Sequence, residues 1–240
     1  MLKTQSSINL VVAAYQENLD WIKQVNHPTI IYNKNDQPIN TTNAKVVQLA
    51  NIGRESHSYL HHITTNYDSL ADITIFSQGN PFKHCPHFIE IANCCNIQQM
   101  NDLAKKYNKR NWPKSNEDFC MMGCYYCVNY KSVTSNELII PQENIDLWTE
   151  LTKWMIDTNT KLPPKTLVVS EGAIFVISKQ NLLKFSIEKY KQLYAFHHKY
   201  KYTPWFMEAF WYHMFNDCEE NFPKLFPYRH RLNNPTYFHI

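Results

Sequence analysis

Ile8-Asn-Leu-Val-Val-Ala-Ala14 is a short, nearly unbroken apolar run rich in β-branched residues, the pattern of a strand buried on both faces. Behind it, Glu17 to Val25 carries Leu19, Trp21, Ile22 and Val25 at a spacing that predicts a helix, and Thr29-Ile-Ile-Tyr-Asn-Lys-Asn35 predicts a second strand closed by a polar turn. Strand, helix, strand is the opening of an α/β unit. Residues 33 to 50 read as a loop around Pro38 with at most a short strand at Val46 and Val47, and Glu55 to Tyr67 reads as a helix through Tyr59, Leu60 and Ile63. Asp72-Ile-Thr-Ile-Phe76 is a third buried strand, which Ser77 to Pro81 breaks. The expectation is a single α/β domain, a mostly parallel sheet flanked by helices. In such sheets ligands lie outside the carboxyl ends of the strands, so Tyr15 to Glu17, the Asn51 to Arg54 turn and Gln78 to Pro81 should share one crevice.

The second half is less regular. From Phe82 to about Ile139 no steady period holds, and six of the seven cysteines fall there, so this stretch reads as an irregular, lid-like insertion. Asn144 to Thr158 predicts an amphipathic helix, Thr166-Leu-Val-Val169 and Gly172-Ala-Ile-Phe-Val-Ile177 predict strands, and Gln180 to His198 predicts one long helix. Thr203 followed by Pro204 fits an N-cap and a first helical position, opening an aromatic helix to about Asn216.

Composition narrows the function classes. With 240 residues and 44% hydrophobic content, disorder and fibrous architecture are excluded. No run approaches the roughly 20 apolar residues of a membrane helix, and Ile8 to Tyr15 is too short, and too soon followed by Glu17 and Asp20, for a signal peptide. A soluble, cytoplasmic protein is expected. The excess of Asn, Lys, Ile and Tyr is that of an AT-rich genome such as a large DNA virus or a protist, which would extend the location to a host cytoplasm or virion. Lys and Arg (24) nearly balance Asp and Glu (21), without the basic stripe of a nucleic-acid binder. Only 4 glycines occur, so Gly53, Gly79, Gly123 and Gly172 mark places where the backbone needs positive φ or close approach.

An odd number of cysteines argues for reduced thiols. Cys120, Cys124 and Cys127 have knuckle-like spacing and are candidate ligands of a structural zinc, with His84, Cys85, His87, Cys94 or Cys95 as a fourth. A second Cys-x-x-Cys pair is missing, so buried thiols compete with that reading. His57 and His61 stand one helical turn apart, yet lack the Glu that follows the first His in zinc proteases.

Three segments resemble a known family: Val12-Ala-Ala-Tyr-Gln-Glu-Asn-Leu-Asp-Trp21; Asn51-Ile-Gly-Arg-Glu-Ser-His-Ser-Tyr-Leu60 with Tyr67 to Pro81; and Gly172-Ala-Ile-Phe-Val-Ile-Ser178 with Glu208-Ala-Phe-Trp-Tyr-His-Met-Phe215. They look like the hallmarks of the domain-of-unknown-function family 3431, over residues 8 to 81 and 166 to 216. That family is in turn similar to GT-A glycosyltransferases, which implies a nucleotide-diphospho-sugar transferase fold, a nucleotide-sugar donor and a glycan or protein acceptor.

Within that frame the candidate donor-binding residues are Tyr15, Glu17, Asn51, Gly53, Arg54, Gln78, Gly79 and Asn80. Gly53-Arg54-Glu55 opens a helix, and free N–H groups beside a guanidinium make a phosphate seat. A Gly turn with a surface Arg–Glu pair is the plainer reading. Gln78-Gly79-Asn80 stands where a metal-dependent GT-A enzyme carries an Asp-x-Asp pair for manganese or magnesium, and amides hold a hard cation poorly. The expectations are therefore metal-independent chemistry or lost activity. Glu208, on a helix among Trp205, Phe206, Phe210, Trp211 and Phe215, is the first candidate for a general base and Glu171 the second. A solvated Glu208 and aromatics that are merely core are the alternatives.

Overall fold

The computed structural model describes residues 6–108, 116–123, 125–129, 142–161 and 166–216. The apolar run forms β1 (Ile8–Ala14), hydrogen-bonded in parallel to β2 (Thr29–Asn33) on one side and to β4 (Ile73–Gln78) on the other. β3 (Lys45–Gln48) adds in parallel to β2. Beyond β4 lies β8 (Phe175–Ser178), antiparallel to it, and then β5 (Phe119–Met121), antiparallel to β8. The sheet order is β3-β2-β1-β4-β8-β5, and a separate two-stranded sheet joins β6 (Tyr125–Asn129) to β7 (Thr166–Ser170).

Both faces of β1 are covered, which is why its sequence does not alternate. Val11 and Ala13 look into one core with Tyr32, Phe76, Phe119 and Phe175, under α1 (Arg54–Thr65), α4 (Gln142–Asp157), α5 (Lys179–Leu182), α6 (Ile187–Lys199) and α7 (Thr203–Phe215). Leu10, Val12 and Ala14 look into the other with Ile75, Cys120 and Val176, under α2 (Phe88–Ala92) and α3 (Ile97–Asn108).

Four expectations are corrected by local chemistry. Glu17 to Val25 is not a full helix but a short 3-10 turn, Asp20–Gln24. The Glu17 carboxylate accepts the Tyr15 and Gln16 backbone N–H groups (2.7 and 3.1 Å), and Asn18 Oδ1 accepts that of Asp20 (2.8 Å), so local side-chain bonds shape this segment. Gly172 does not begin a strand: its φ of 72° bends Glu171–Ala173 into a 3-10 turn, and β8 starts at Phe175. The helix from Gln180 to His198 is two helices, with Ser178 and Ser186 each capping a new start by accepting from Asn181 and Lys189 N–H (3.1 and 3.4 Å). Thr203 is not the cap of α7 either; Tyr202 is, and the Thr203 hydroxyl reaches the Phe196 and Tyr200 carbonyls (both 2.9 Å), tying the end of α6 to the start of α7.

The stretch from Phe82 to Ile139 contributes to the sheet and to its cover. Its α2 and α3 cover one face of the sheet and its β5 forms the edge strand; residues 109–115 and 130–141 lie outside the described residues.

Candidate functional site

The chain leaves β1 and β4 side by side at the point where the strand order reverses, since β2 lies on the far side of β1. At such a point a parallel sheet places its ligand crevice, outside the carboxyl ends of the strands. Glu17 folds back over the end of β1 and lies against Gly79, where an added Cβ would stand 2.5 Å from Glu17 Oε2 and push the carboxylate aside. The Trp21 indole N–H donates to the Gly79 carbonyl (2.9 Å). The amides expected to face a donor are committed to the turn: Gln78 Nε2 donates to the Asn80 carbonyl (2.9 Å), and Asn80 Oδ1 accepts from Phe82 N–H (3.3 Å). Tyr15 is exposed at the rim.

The second wall is the start of α1. Gly53 and Arg54 both take positive φ (63° and 48°), and a side chain on Gly53 would collide with the His197 imidazole. His197 is held neutral: its Nδ1–H donates to the Leu193 carbonyl (3.1 Å), so Nε2 accepts the Ser56 hydroxyl (2.7 Å). Below the turn, the buried Lys34 ammonium donates to the carbonyls of Ile52 and Arg54. Burial pulls its pKa down to about 8 against the opposing charge of Glu55. The Arg54 guanidinium lies 5.2 Å from the Trp205 ring centroid, with Nε 3.8 Å from Glu55 Oε2, and its side chain is half exposed. Asn51 is exposed on the approach to this turn.

Carboxylates from three elements converge between the walls. Glu208 of α7 is partly buried, and burial first, then the Glu55 charge, pushes its pKa up to about 8. Glu171 pushes the same way, while Arg54 and a hydrogen bond from the Gly172 backbone pull it down. Glu55 is buried and also raised, chiefly by desolvation, with Arg54, Lys34 and His84 opposing. Glu171 meets His84 Nδ1 at 3.3 Å. Glu208 is therefore not on a solvated face, and Glu171 joins the same constellation. Of the aromatics on α7, Phe210, Trp211 and Tyr212 are core, and Trp205 alone of the four stands at the crevice.

The sequence does not mark Glu55, Lys34 or Tyr59 as site residues, and it offers His84 only as a candidate fourth zinc ligand. Glu55 was legible only as half of a surface pair with Arg54, and nothing in Tyr32-Asn-Lys34 announces a lysine turned inward. Tyr59 fitted the helical apolar period, which conceals its hydroxyl.

The zinc reading of Cys120, Cys124 and Cys127 falls largely outside the described residues. Cys120 is buried on β5 with its Sγ 3.7 Å from Asn101 Oδ1 and 3.3 Å from the Met121 carbonyl. Cys124, and the side chain of Cys127, lie outside the described residues. Among the described residues no three His, Cys, Asp or Glu side chains gather as a metal would require. His57 instead stacks on Tyr194 (4.5 Å), and His62 Nδ1 pairs with the Tyr32 hydroxyl (3.0 Å).

A family model matches residues 10–226, nearly the whole chain and every element that frames this crevice. The chain belongs to the family described as protein of unknown function DUF3431. The bounds of the match enclose the cysteine-rich stretch as well. No curated protein matches the chain. No helix among the described residues is long and apolar enough to cross a membrane.

Proposed function

We propose that this DUF3431 protein transfers a glycosyl group from a nucleotide-sugar donor to a hydroxyl acceptor. The observation that carries the proposal is Glu208: a carboxyl with its pKa pushed up to about 8, beside Arg54 and the start of α1, at a parallel-sheet switch point. A base with a pKa near the working pH combines useful basicity with a usable ionised fraction. In the proposed step Glu208 takes the acceptor O–H proton as the acceptor oxygen bonds to the anomeric carbon. The bond from that carbon to the diphosphate oxygen breaks, and the nucleoside diphosphate leaves. Arg54 and the N–H groups opening α1 would meet the leaving charge. Gln78 and Asn80 offer no carboxylate for manganese or magnesium, which favours charge neutralisation by the guanidinium.

The same lack of an Asp-x-Asp pair favours a second reading, a non-catalytic protein that binds a ligand in this crevice. Thermal shift against a panel of nucleotide sugars, with and without manganese, followed by transfer and hydrolysis assays, separates the two. The transferase reading expects turnover that climbs with pH through about 8. It also expects Glu208→Gln to lower kcat by roughly a hundredfold or more with donor affinity nearly unchanged. Full activity in that variant ends the assignment of the base, and no turnover of any donor by the wild type leaves the binding reading.

A further inference from the structure

Of the 4 glycines in the chain, Gly123 and Gly172 are both set against one pair of side chains that the proposed step does not use. His84 follows the Gln78 to Pro81 turn, and its Nδ1 meets Glu171 Oε2 at 3.3 Å. Gly172, at φ 72°, turns its bare Cα toward this pair: an added Cβ would stand 3.0 Å from Gln78 Nε2 and 3.1 Å from His84 Cδ2. A Cβ on Gly123 would lie 3.4 Å from the Glu171 carbonyl oxygen and 3.6 Å from that of His84. Ala173, fully buried, also takes positive φ (47°), so two left-handed residues in succession follow Glu171, a strain that the surrounding packing must sustain. The Glu171–Ala173 turn packs against β4, α1 and α7, and the Gly172 backbone N–H bonds to the Glu208 carboxylate. The imidazole–carboxylate pair is thus tied through one residue of backbone to the proposed base, and its side chains are 18% and 27% exposed, within reach of a ligand.

An ionised carboxylate only accepts hydrogen bonds, so the proton at this contact sits on Nδ1 and the ring meets a ligand through Nε2. The charged groups about the pair are Glu171 itself, Glu208 of α7 and Glu55 of α1, opposed by Arg54 and Lys34. β4 and β8 carry no ionisable side chain, and Glu90 of α2 is engaged by His87 and Tyr107. A carboxylate behind the ring and an anionic ligand in front of it both favour the doubly protonated imidazole, whose Nε2–H then makes a charge-assisted hydrogen bond. We propose that His84, held by Glu171, meets the diphosphate of the donor from the wall that faces Arg54. In this role His84 is a catalytic residue and Glu171 a positioning residue. As the bond from the anomeric carbon to the diphosphate oxygen breaks, its electron pair stays on that oxygen, which accepts the His84 Nε2–H. No proton changes hands there, and the acceptor proton remains on Glu208. The part played in turnover rests on the transferase reading, whereas diphosphate binding by His84 does not.

The test requires no turnover. Nitrogen-15 NMR of the His84 imidazole, assigned through its backbone, is recorded on the wild type and Glu171→Gln, with uridine diphosphate or uridine added and a chelator present. The expected result is a proton on Nδ1 in the free wild type, imidazolium shifts on adding uridine diphosphate but not uridine, and a weaker response in Glu171→Gln. Calorimetry should show uridine diphosphate bound roughly tenfold more weakly, or worse, by His84→Gln. A contact that only braces the fold would leave the His84 nitrogens unmoved by the nucleotide, and that result overturns the proposal. So does unchanged affinity in His84→Gln, or failure of the wild type to bind uridine diphosphate, guanosine diphosphate and pyrophosphate alike. Should the variants fail to fold, the wild-type spectra decide alone. If uridine diphosphate moves His84 but no sugar is transferred, the transferase reading falls and the diphosphate site stands; transfer with His84 unmoved keeps that reading and removes His84 from it.

Discussion

Arg54 carries the heaviest demand placed on one residue, since it is held in a left-handed backbone conformation that costs a non-glycine residue about 1 kcal/mol or more. That strain is sustained by neighbours that fix the turn: the Lys34 ammonium on the Ile52 and Arg54 carbonyls, and His197 against Gly53. The guanidinium is aimed by Trp205 and Glu55 yet remains half exposed, so a ligand can reach it. Arg54→Ala should weaken binding of a nucleoside diphosphate by about 1.5 to 3 kcal/mol, the range for a hydrogen bond to a charged group. Folding should be unaffected. Calorimetry with uridine and guanosine diphosphates on both proteins checks this, and equal affinities would remove Arg54 from the site.

The elements divide by how local their causes are. β1, β2 and β4 were legible because each is an apolar run whose two faces are both buried, and burial of that kind writes itself into consecutive residues. The break between α5 and α6 was not legible, because Ser178 and Ser186 look like ordinary polar residues until their oxygens are seen to take backbone N–H groups. At the site, Glu208 and Glu171 stood out as carboxylates in apolar company. Glu55 and Lys34 did not, since their burial comes from the packing of distant segments and leaves no local trace. The α1 start illustrates the point: its geometry depends on a lysine twenty residues before Arg54. Lys34→Met should keep the aliphatic stem but leave the Ile52 and Arg54 carbonyls without their donor, costing about 1 to 3 kcal/mol. Urea unfolding should show a lower midpoint with an unchanged slope. An unshifted midpoint would mean that the turn holds its shape without the clamp.

At the scale of the molecule, buried histidines set the response to acid. His62, His197 and His213 are buried, and each has a ring nitrogen bonded to a protein donor: His62 with the Tyr32 hydroxyl, His197 with that of Ser56, and His213 Nε2 with the Val168 N–H at 3.1 Å. Burial holds each of them at a pKa of about 4, and His57, stacked on Tyr194, at about 3. The unfolded chain binds protons at these positions below about 6.5 while the folded chain does not, so stability is lost as pH falls from about 6.5 toward 4. Glu208 acts in the opposite sense, because its folded pKa is raised. The folded state keeps a proton that the unfolded chain gives up above about 4.5, so its contribution is lost as pH rises toward 8. Between pH 6.5 and 5 each of the three hydrogen-bonded histidines costs up to about 2 kcal/mol, and Glu208 returns about as much as one of them. Glu55, also raised by burial, acts in the same sense as Glu208, but the four buried histidines outnumber the two carboxyls, so acid should win. Urea unfolding at pH 7 and pH 5 should show a loss of several kcal/mol at the lower pH, and His213→Gln, which retains an acceptor for Val168, should reduce that loss. Equal stability at the two pH values would mean that these imidazoles take up protons in the fold as readily as in the unfolded chain, and the acceptor roles assigned to His62, His197 and His213 would have to be withdrawn.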